Sequence, residues 1–300
     1  MKSPWIAGLR SVCLSVPDLS LAERFYTDTW RLTVAAREGG TLYLRGSGSD
    51  HHLLALREAP GAPQLDSITL RARSEAALQA VADAAATAGA TLVRNIGAAG
   101  DPAGGHSLGV RDASGRYFEV VVGDTRRVAD QPAPPDQPMR LAHAVLNSRD
   151  VAATQSWIER VLGFVLADRT RIMAFMNCDA DHHAIALGDA DNDALNHVAF
   201  LMPSLDAVMR GGGRMKDAGY SIEWGPGRHG PGNNAFNYFI DPFGIVIEYT
   251  AEVAQIDDRY QPGTPSDWTW SPGRVDQWGI SAPPSARLKA AQRVVTFAAA

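Results

Sequence analysis

Two histidines and one glutamate stand inside apolar stretches of the sequence. His143 lies in LAHAVL, His197 in LNHVAF and Glu248 in GIVIEYT. Each stretch has the pattern of a β-strand, whose pleat fixes the direction of every side chain. A buried carboxylate is costly unless it is paired or bound to a metal. Two neutral imidazoles and one carboxylate leave open positions on a six-coordinate metal, a pattern that points to a non-haem Fe(II) centre.

The elements that would position these residues occur twice along the chain. HHLLAL parallels HHAIAL, and DASGRYFEVVV parallels DPFGIVIEYTA. The parallel segments are 9–30 with 141–162, 51–56 with 182–187, 65–90 with 195–220, and 112–122 with 241–251. Matches at a nearly constant offset predict a duplicated domain.

Each copy itself contains a doubled pattern. An apolar strand leads into a helix of about three turns, and three short strands follow. The sequence therefore predicts an α+β fold of four βαβββ modules. The first strands of the modules are expected at 9–16, 66–72, 141–147 and 196–202.

A proline-rich run separates the two copies. QPAPPDQPM can neither continue a helix nor occupy a central strand. The predicted organisation is an N-terminal domain at 1–128, a linker at 129–139, a C-terminal domain at 140–252 and a tail at 253–300. The tail, with its tryptophans and prolines, is expected to wrap a surface and end in a short helix.

Aligning the two copies isolates the residues that one copy has and the other lacks. The aligned pairs are His143 with Ser11, His197 with Ser67, and Glu248 with Glu119. The histidines are extra in the second copy, since apolar positions common to both explain the fold. We therefore expect the metal site in the C-terminal domain and none in the N-terminal domain.

Composition and charge exclude several classes of partner. The chain has 300 residues, 20% of them charged, and a formal net charge of −5. Without a basic block, it is not expected to bind nucleic acid or an anionic membrane. Two cysteines form no disulfide framework. No apolar run approaches the roughly 18 residues of a membrane span, and the start lacks a signal-peptide core. We predict a soluble cytoplasmic protein.

Taken together, these segments resemble the type I extradiol ring-cleavage dioxygenases of the vicinal oxygen chelate superfamily, over roughly residues 5–252. LAHAVL, LNHVAF and IEYT look like the three iron-ligand segments of that family, so the resemblance gives His143, His197 and Glu248 the ligand roles. HHAIAL is similar to the segment with a histidine beside the O₂ site, here His183. GRHGPGNNAFNYFIDPFGIVIEY resembles the family signature, which places His229 and Tyr238.

The resemblance implies cleavage of a catechol-type diol by O₂, next to its two hydroxyls, in the degradation of aromatic compounds. Fe(II) is the implied cofactor, and the same ligands would accept Mn(II). His183 would act as acid or base, and His229 and Tyr238 would hydrogen-bond the substrate oxygens. The expected apolar walls are Met173, Phe175, Trp224 and Phe236. Edge strands and the tail favour a homo-oligomer.

Other interpretations remain open. A glyoxalase-type isomerase of the same superfamily generally uses four protein ligands, and the strand 183–187 offers no carboxylate for the fourth. A non-catalytic drug- or metal-binding protein on this fold would commonly have one copy and no metal triad. His182 is predicted to be exposed at a strand end, because its neighbour takes the inward position. His229, in a loop rich in glycine and proline, could be a solvated turn residue.

Overall fold

The computed structural model describes residues 2–299, and its strands form two mixed sheets of matching topology. The first sheet contains β1 Ile6–Val16, β2 Thr33–Glu38, β3 Thr41–Arg45, β4 Leu54–Glu58, β5 Gln64–Ala72, β6 Thr91–Ala98, β7 His106–Arg111 and β8 Tyr117–Val122. The second contains β9 Arg140–Ser148, β10 Val165–Arg169, β11 Met173–Asn177, β12 Ile185–Asp189, β13 Ala194–Leu201, β14 Trp224–Arg228, β15 Ala235–Ile240 and β16 Val246–Ala251.

The strand order confirms the prediction of an α+β fold built from four βαβββ modules. The order is β2-β3-β4-β1-β5-β8-β7-β6 in the first sheet and β10-β11-β12-β9-β13-β16-β15-β14 in the second. The first strands of two modules lie side by side at the centre of each sheet and run antiparallel. Each central strand also has a parallel neighbour, the last strand of its own module.

One helix follows the first strand of each module. The helices are α1 Leu19–Arg24, α2 Glu75–Thr87, α3 Val151–Leu162 and α4 Leu205–Asp217. Asp18 and Asp150 cap α1 and α3 by accepting the amide protons of Leu21 and Ala153. After six α-helical residues, α1 continues directly as a π-helical turn at Phe25–Thr29, so the helical segment as a whole has about the predicted length. The wider turn carries buried Phe25 and Tyr26 and leads directly to the buried Trp30.

The two copies share one apolar core. The largest cluster of buried apolar side chains includes Val12 and Ile68 of the first sheet and Leu146 and Val198 of the second. Each copy therefore stabilises the other by burying apolar surface that it would otherwise expose. None of the helices in residues 2–299 has the length and apolar character needed to cross a membrane.

The tail returns to the first sheet. After the second sheet the chain runs without long elements to α5 Ala286–Ala291, and then to β17 Thr296–Phe297, which pairs with β5. The predicted terminal helix is present, but the described tail ends in this short strand. The chain forms a strand here because Thr296 and Phe297 pair in parallel with Gln64 and Leu65 and occupy backbone hydrogen-bonding groups of β5.

Candidate metal centre

The candidate centre lies on a row of residues that crosses the second sheet. His143 on β9 opposes Ala199 on β13, Ala199 opposes Glu248 on β16, and Glu248 opposes Tyr238 on β15. Residues paired across neighbouring strands point to the same face. His197 lies two residues before Ala199 and therefore shares that face. The alternation of the strands thus brings five side chains from distant parts of the sequence together.

The two imidazoles and the carboxylate converge as the sequence predicts. Nε2 of His143 lies 3.1 Å from Oε2 of Glu248, and Nε2 of His197 lies 3.2 Å from the same oxygen. One ligand atom from each residue lies within 4.8 Å of the other two, and all three residues are buried. Burial works to raise the pKa of Glu248, but the two imidazoles outweigh it and hold the pKa well below its usual range. Burial lowers the pKa of His197.

These residues fit a divalent metal. Glu248 is fully buried, and among residues 2–299 no lysine or arginine contacts it. A buried carboxylate with no lysine or arginine beside it calls for a positive charge, which a metal would supply. His197 directs Nδ1 to Oδ1 of Asn196 at 2.8 Å, which leaves Nε2 available to a metal. Nδ1 of His143 has no hydrogen-bond partner among the described residues, so packing orients that ring.

His183 lies beside this group, at the entrance to β12. Its ring centroid is 4.4 Å from that of His143 and 5.0 Å from that of Phe175. Burial, followed by the neighbouring imidazoles of His143 and His182, holds the pKa of His183 well below its ordinary value. The ring is therefore neutral, and it lines the cavity described below.

His229 and Tyr238 form the opposite side of the centre. Nε2 of His229 and the hydroxyl of Tyr238 are 3.0 Å apart, and that hydroxyl lies 3.5 Å from Nε2 of His197. Burial, only partly offset by Glu248, lowers the pKa of His229 to about 4. Burial and Glu248 raise the pKa of Tyr238 well above its usual value, so its phenol stays protonated. The side chain of His229 is 21% exposed and does not belong to a solvated turn.

His143, His197, His183, His229 and Tyr238 all line one cavity of about 570 Å³, whereas Glu248 is buried behind the two histidines. Met173, Phe175 and Trp224 line it as the sequence predicts, and the tail adds Trp268 and Trp270. The prediction that Phe236 forms a wall is wrong. Phe236 is fully buried and stacks under His229, with ring centroids 4.0 Å apart, so it supports a wall residue instead of lining the cavity.

The prediction that His182 is exposed is also wrong. Its side chain is buried, and its Nε2 lies 2.9 Å from Oδ2 of Asp168, a residue with no exposed surface. Sequence reasoning missed Asp168, as well as Asn196 and Asn234. The Asn234 amide donates to Oγ1 of Thr250 and lies 3.5 Å from the Glu248 carboxylate. Only Asn196 had a signal, since it adjoins a predicted ligand.

The register of the first sheet agrees with the alignment of the two copies. Val12 pairs with Ile68 as Ala144 pairs with Val198. Each of these residues directly follows an aligned position, so Ser11 and Ser67 take the places of the two histidines.

The first copy fills the equivalent place with its own ion pair. Glu119 pairs with Arg94 and accepts the Ser107 hydroxyl at 2.9 Å. In the first copy the positive charge beside the glutamate is thus supplied by the Arg94 side chain, which has no counterpart beside Glu248. Within the described residues, the group His143, His197 and Glu248 is the only cluster of three such donors.

Comparison with known proteins agrees with this geometry. The profile of the Glyoxalase/Bleomycin resistance protein/Dioxygenase superfamily matches residues 140–249. The chain is 29% identical to metapyrocatechase 2 of Cupriavidus necator, over 90% of this chain and 88% of that protein. It is 32% identical to a Mn(II)-bound glyoxalase from Novosphingobium aromaticivorans, with a TM-score of 0.88 over 94% of both chains. A homoprotocatechuate 2,3-dioxygenase variant from B. fuscum shares the fold, with 24% identity, a TM-score of 0.82, and coverage of 93% of this chain and 80% of that one.

Proposed function

Because this chain belongs to the glyoxalase/bleomycin resistance protein/dioxygenase superfamily, we propose that it cleaves a catechol-type diol with O₂, next to the two hydroxyls, in the degradation of aromatic compounds. One observation carries the proposal. The two histidines of a buried His-His-Glu group line the same cavity as three further side chains that can exchange or hold protons, His183, His229 and Tyr238. The metapyrocatechase relative supports the same reaction class.

His143, His197 and Glu248 would hold the metal. Fe(II) bound there would supply a Lewis-acidic and redox-active centre with open coordination positions. Mn(II) suits the same donors, and the glyoxalase structure from Novosphingobium aromaticivorans contains it. The carboxylate and two neutral imidazoles contribute a single negative charge, so the site as a whole stays cationic with a divalent ion and favours a deprotonated diol.

The remaining polar side chains would orient the diol and manage its protons. The protonated phenol of Tyr238 can donate a hydrogen bond to one substrate oxygen, and His229 lies within 3.0 Å of that phenol. His183 is neutral and can accept a proton from a hydroxyl of the diol and later return it. The apolar walls, among them Phe175, Trp224 and Trp268, would exclude water from the reacting ring.

The division of labour between the copies is part of the proposal. Residues 140–252 would form the catalytic domain, 1–128 a domain without a metal site, 129–139 the linker and 253–300 a tail that covers the cavity. We also propose a cytoplasmic homo-oligomer. Edge strand β6 exposes Leu92, Val93 and Ile96, an apolar set that a second copy could cover. Light scattering coupled to gel filtration tests the oligomer.

A metal-dependent isomerase of the glyoxalase type is the second candidate. It is favoured by the name of the solved structure that is 32% identical to this chain. The geometry favours it less, because only three protein donors converge; Asp189, at the end of β12, lines the cavity but does not join them. Chemistry that needs a fourth protein ligand has no residue for it here.

One experiment separates the candidates. The protein is loaded anaerobically with Fe(II) or Mn(II), its metal content is measured, and oxygen uptake is followed with a panel of substituted catechols. The proposal predicts stoichiometric oxygen uptake together with a yellow ring-fission product. A metal-loaded protein that consumes no oxygen with any catechol but isomerises a hemithioacetal would establish the second candidate. Tight binding without turnover of either substrate would indicate a binding protein.

A further inference from the structure

A continuous chain of buried hydrogen bonds lies behind His183. Nδ1 of His183 is 3.1 Å from Nδ1 of His182, and Nε2 of His182 is 2.9 Å from Oδ2 of Asp168. Asp168 has no exposed surface, and the side chains of both histidines are buried. Asp168 comes from β10 and the histidines from the segment just before β12, two strands away in the sheet, so these contacts reach across β11.

Two residues of the tail donate hydrogen bonds to the Asp168 carboxylate. The hydroxyl of Tyr260 donates to the carboxylate at 3.1 Å, and the amide of Gly263 donates to Oδ1 at 2.6 Å. Asp168 is thus surrounded by donors on both oxygens, and a carboxylate can only accept. The contact with Nε2 of His182 must then be a donation from the imidazole, which places a proton on that nitrogen.

The position of that proton on His182 determines which nitrogen of His183 is protonated. An imidazole with one proton, on Nε2, has a lone pair on Nδ1. Because Nδ1 of His183 lies 3.1 Å from this lone pair, His183 must donate from its own Nδ1. The other nitrogen of His183, Nε2, has no hydrogen-bond partner among residues 2–299, and the ring lines the substrate cavity. That nitrogen is left without a proton.

The first copy contains an independent version of the same arrangement. His51 and His52 have their Nδ1 atoms 3.1 Å apart, as His182 and His183 do. Nη2 of Arg10 lies 3.2 Å from Nε2 of His52. A guanidinium only donates, so Nε2 of His52 accepts and its proton is on Nδ1. The two copies therefore place the proton on the same nitrogen by different contacts: Arg10 donates to Nε2 of His52 in the first copy, and His182 accepts from Nδ1 of His183 in the second.

We propose that Asp168 and His182 are positioning residues that hold His183 in the tautomer with a proton on Nδ1, so that an unprotonated Nε2 faces the diol. The role of that nitrogen as proton acceptor rests on the proposed function, whereas the tautomer itself does not. The tail is part of the device, because Tyr260 and Gly263 hold the carboxylate that starts the chain.

Neutron crystallography of the metal-loaded, deuterium-exchanged protein tests the tautomer directly. The expected map has deuterium on Nε2 of His182 and on Nδ1 of His183, and none on Nε2 of His183. Deuterium on Nε2 of His183 in the wild-type protein would overturn the proposal. This result does not depend on whether any catechol is cleaved, so failure of the proposed function would be seen separately in the oxygen assay.

The variant Asp168→Asn tests the cause. If its Oδ1 keeps the Gly263 amide, its Nδ2 turns toward Nε2 of His182, which must then accept. The protons of His182 and His183 should both move to the other nitrogen. We expect kcat to fall about 10- to 100-fold, with KM and metal content unchanged, because the diol no longer faces a lone pair.

His182→Asn is the second variant, for the case that Asp168→Asn fails to fold. It breaks the chain while Asp168 keeps its tail donors, and it should lower kcat in the same range. His51→Asn is the matched control, at the equivalent place of the first copy, and should keep wild-type kcat. A His182→Asn protein with wild-type kcat and an unchanged His183 tautomer would show that His182 does not position His183.

Discussion

Trp30 lies flat on Tyr249, with ring centroids 3.6 Å apart and ring planes 8° apart. The hydroxyl of Tyr249 donates to the backbone carbonyl of Trp30 at 2.9 Å. Tyr249 follows Glu248 in β16, and neighbouring residues of a strand point to opposite faces. The first copy therefore supports, from behind, the strand that presents the carboxylate of the candidate centre.

Replacing Trp30 should weaken both the fold and the centre. Trp30→Ala leaves a cavity under β16 and should lower the free energy of unfolding by about 3–5 kcal/mol, measured by chemical denaturation. Its bound metal should dissociate faster, because β16 loses its support. Trp270→Ala is the control, since Trp270 is 42% exposed and its loss should change stability far less. Equal losses in the two variants would contradict this account.

Of the two glutamates at equivalent positions, Glu248 should bind the metal, whereas Glu119 should not. Glu248→Gln removes the only charge among the three donors and should weaken metal binding about 100-fold or more, or ~3 kcal/mol. Glu119→Gln changes the same atom at the equivalent place of the first copy, where Arg94 is the partner, and should leave metal binding unchanged. Metal titration of both variants measures this. Equal metal affinity in both would exclude Glu248 as a ligand.

His183 should be needed for turnover but not for the metal. His183→Phe keeps a flat ring beside His143 and removes both nitrogens, so kcat should fall by about 10²- to 10⁴-fold with full metal content. Oxygen uptake per bound metal is the measurement. A variant that loses its metal but retains normal turnover per remaining ion would instead make His183 a ligand.

Local pattern was enough to predict most of the fold and to place the candidate ligands on neighbouring strands. Alternation locates a strand, and the face of each residue follows from the period of two. Duplication supplied the rest, because it showed that Ser11 stands where the other copy has His143. His143, His197 and Glu248 then come together because β9 pairs with β13 and β13 pairs with β16.

Contacts that depend on one long-range meeting could not be predicted. Asp168 meets Tyr260 and Gly263 from the tail, and no periodicity links these positions. For this reason His182 was mistaken for an exposed residue, since an alternating strand gives it the outward direction and shows nothing of what covers it. The burial of Phe236 beneath His229 depends in the same way on how one loop folds back.

The stability of the protein should fall in acid partly through His52. Burial, followed by the charge of Arg10, lowers the pKa of His52 from 6.5 to about 3. The unfolded chain binds a proton near pH 6.5 and the folded protein only near pH 3. This contribution is therefore complete above pH 6.5 and is lost as the pH falls from 6.5 toward 3, by up to about 1.4 kcal/mol per pH unit. His52→Gln should flatten the acid side of the stability profile in urea denaturation, whereas His106→Gln, an exposed control, should not. Parallel profiles for wild type and His52→Gln would contradict this assignment.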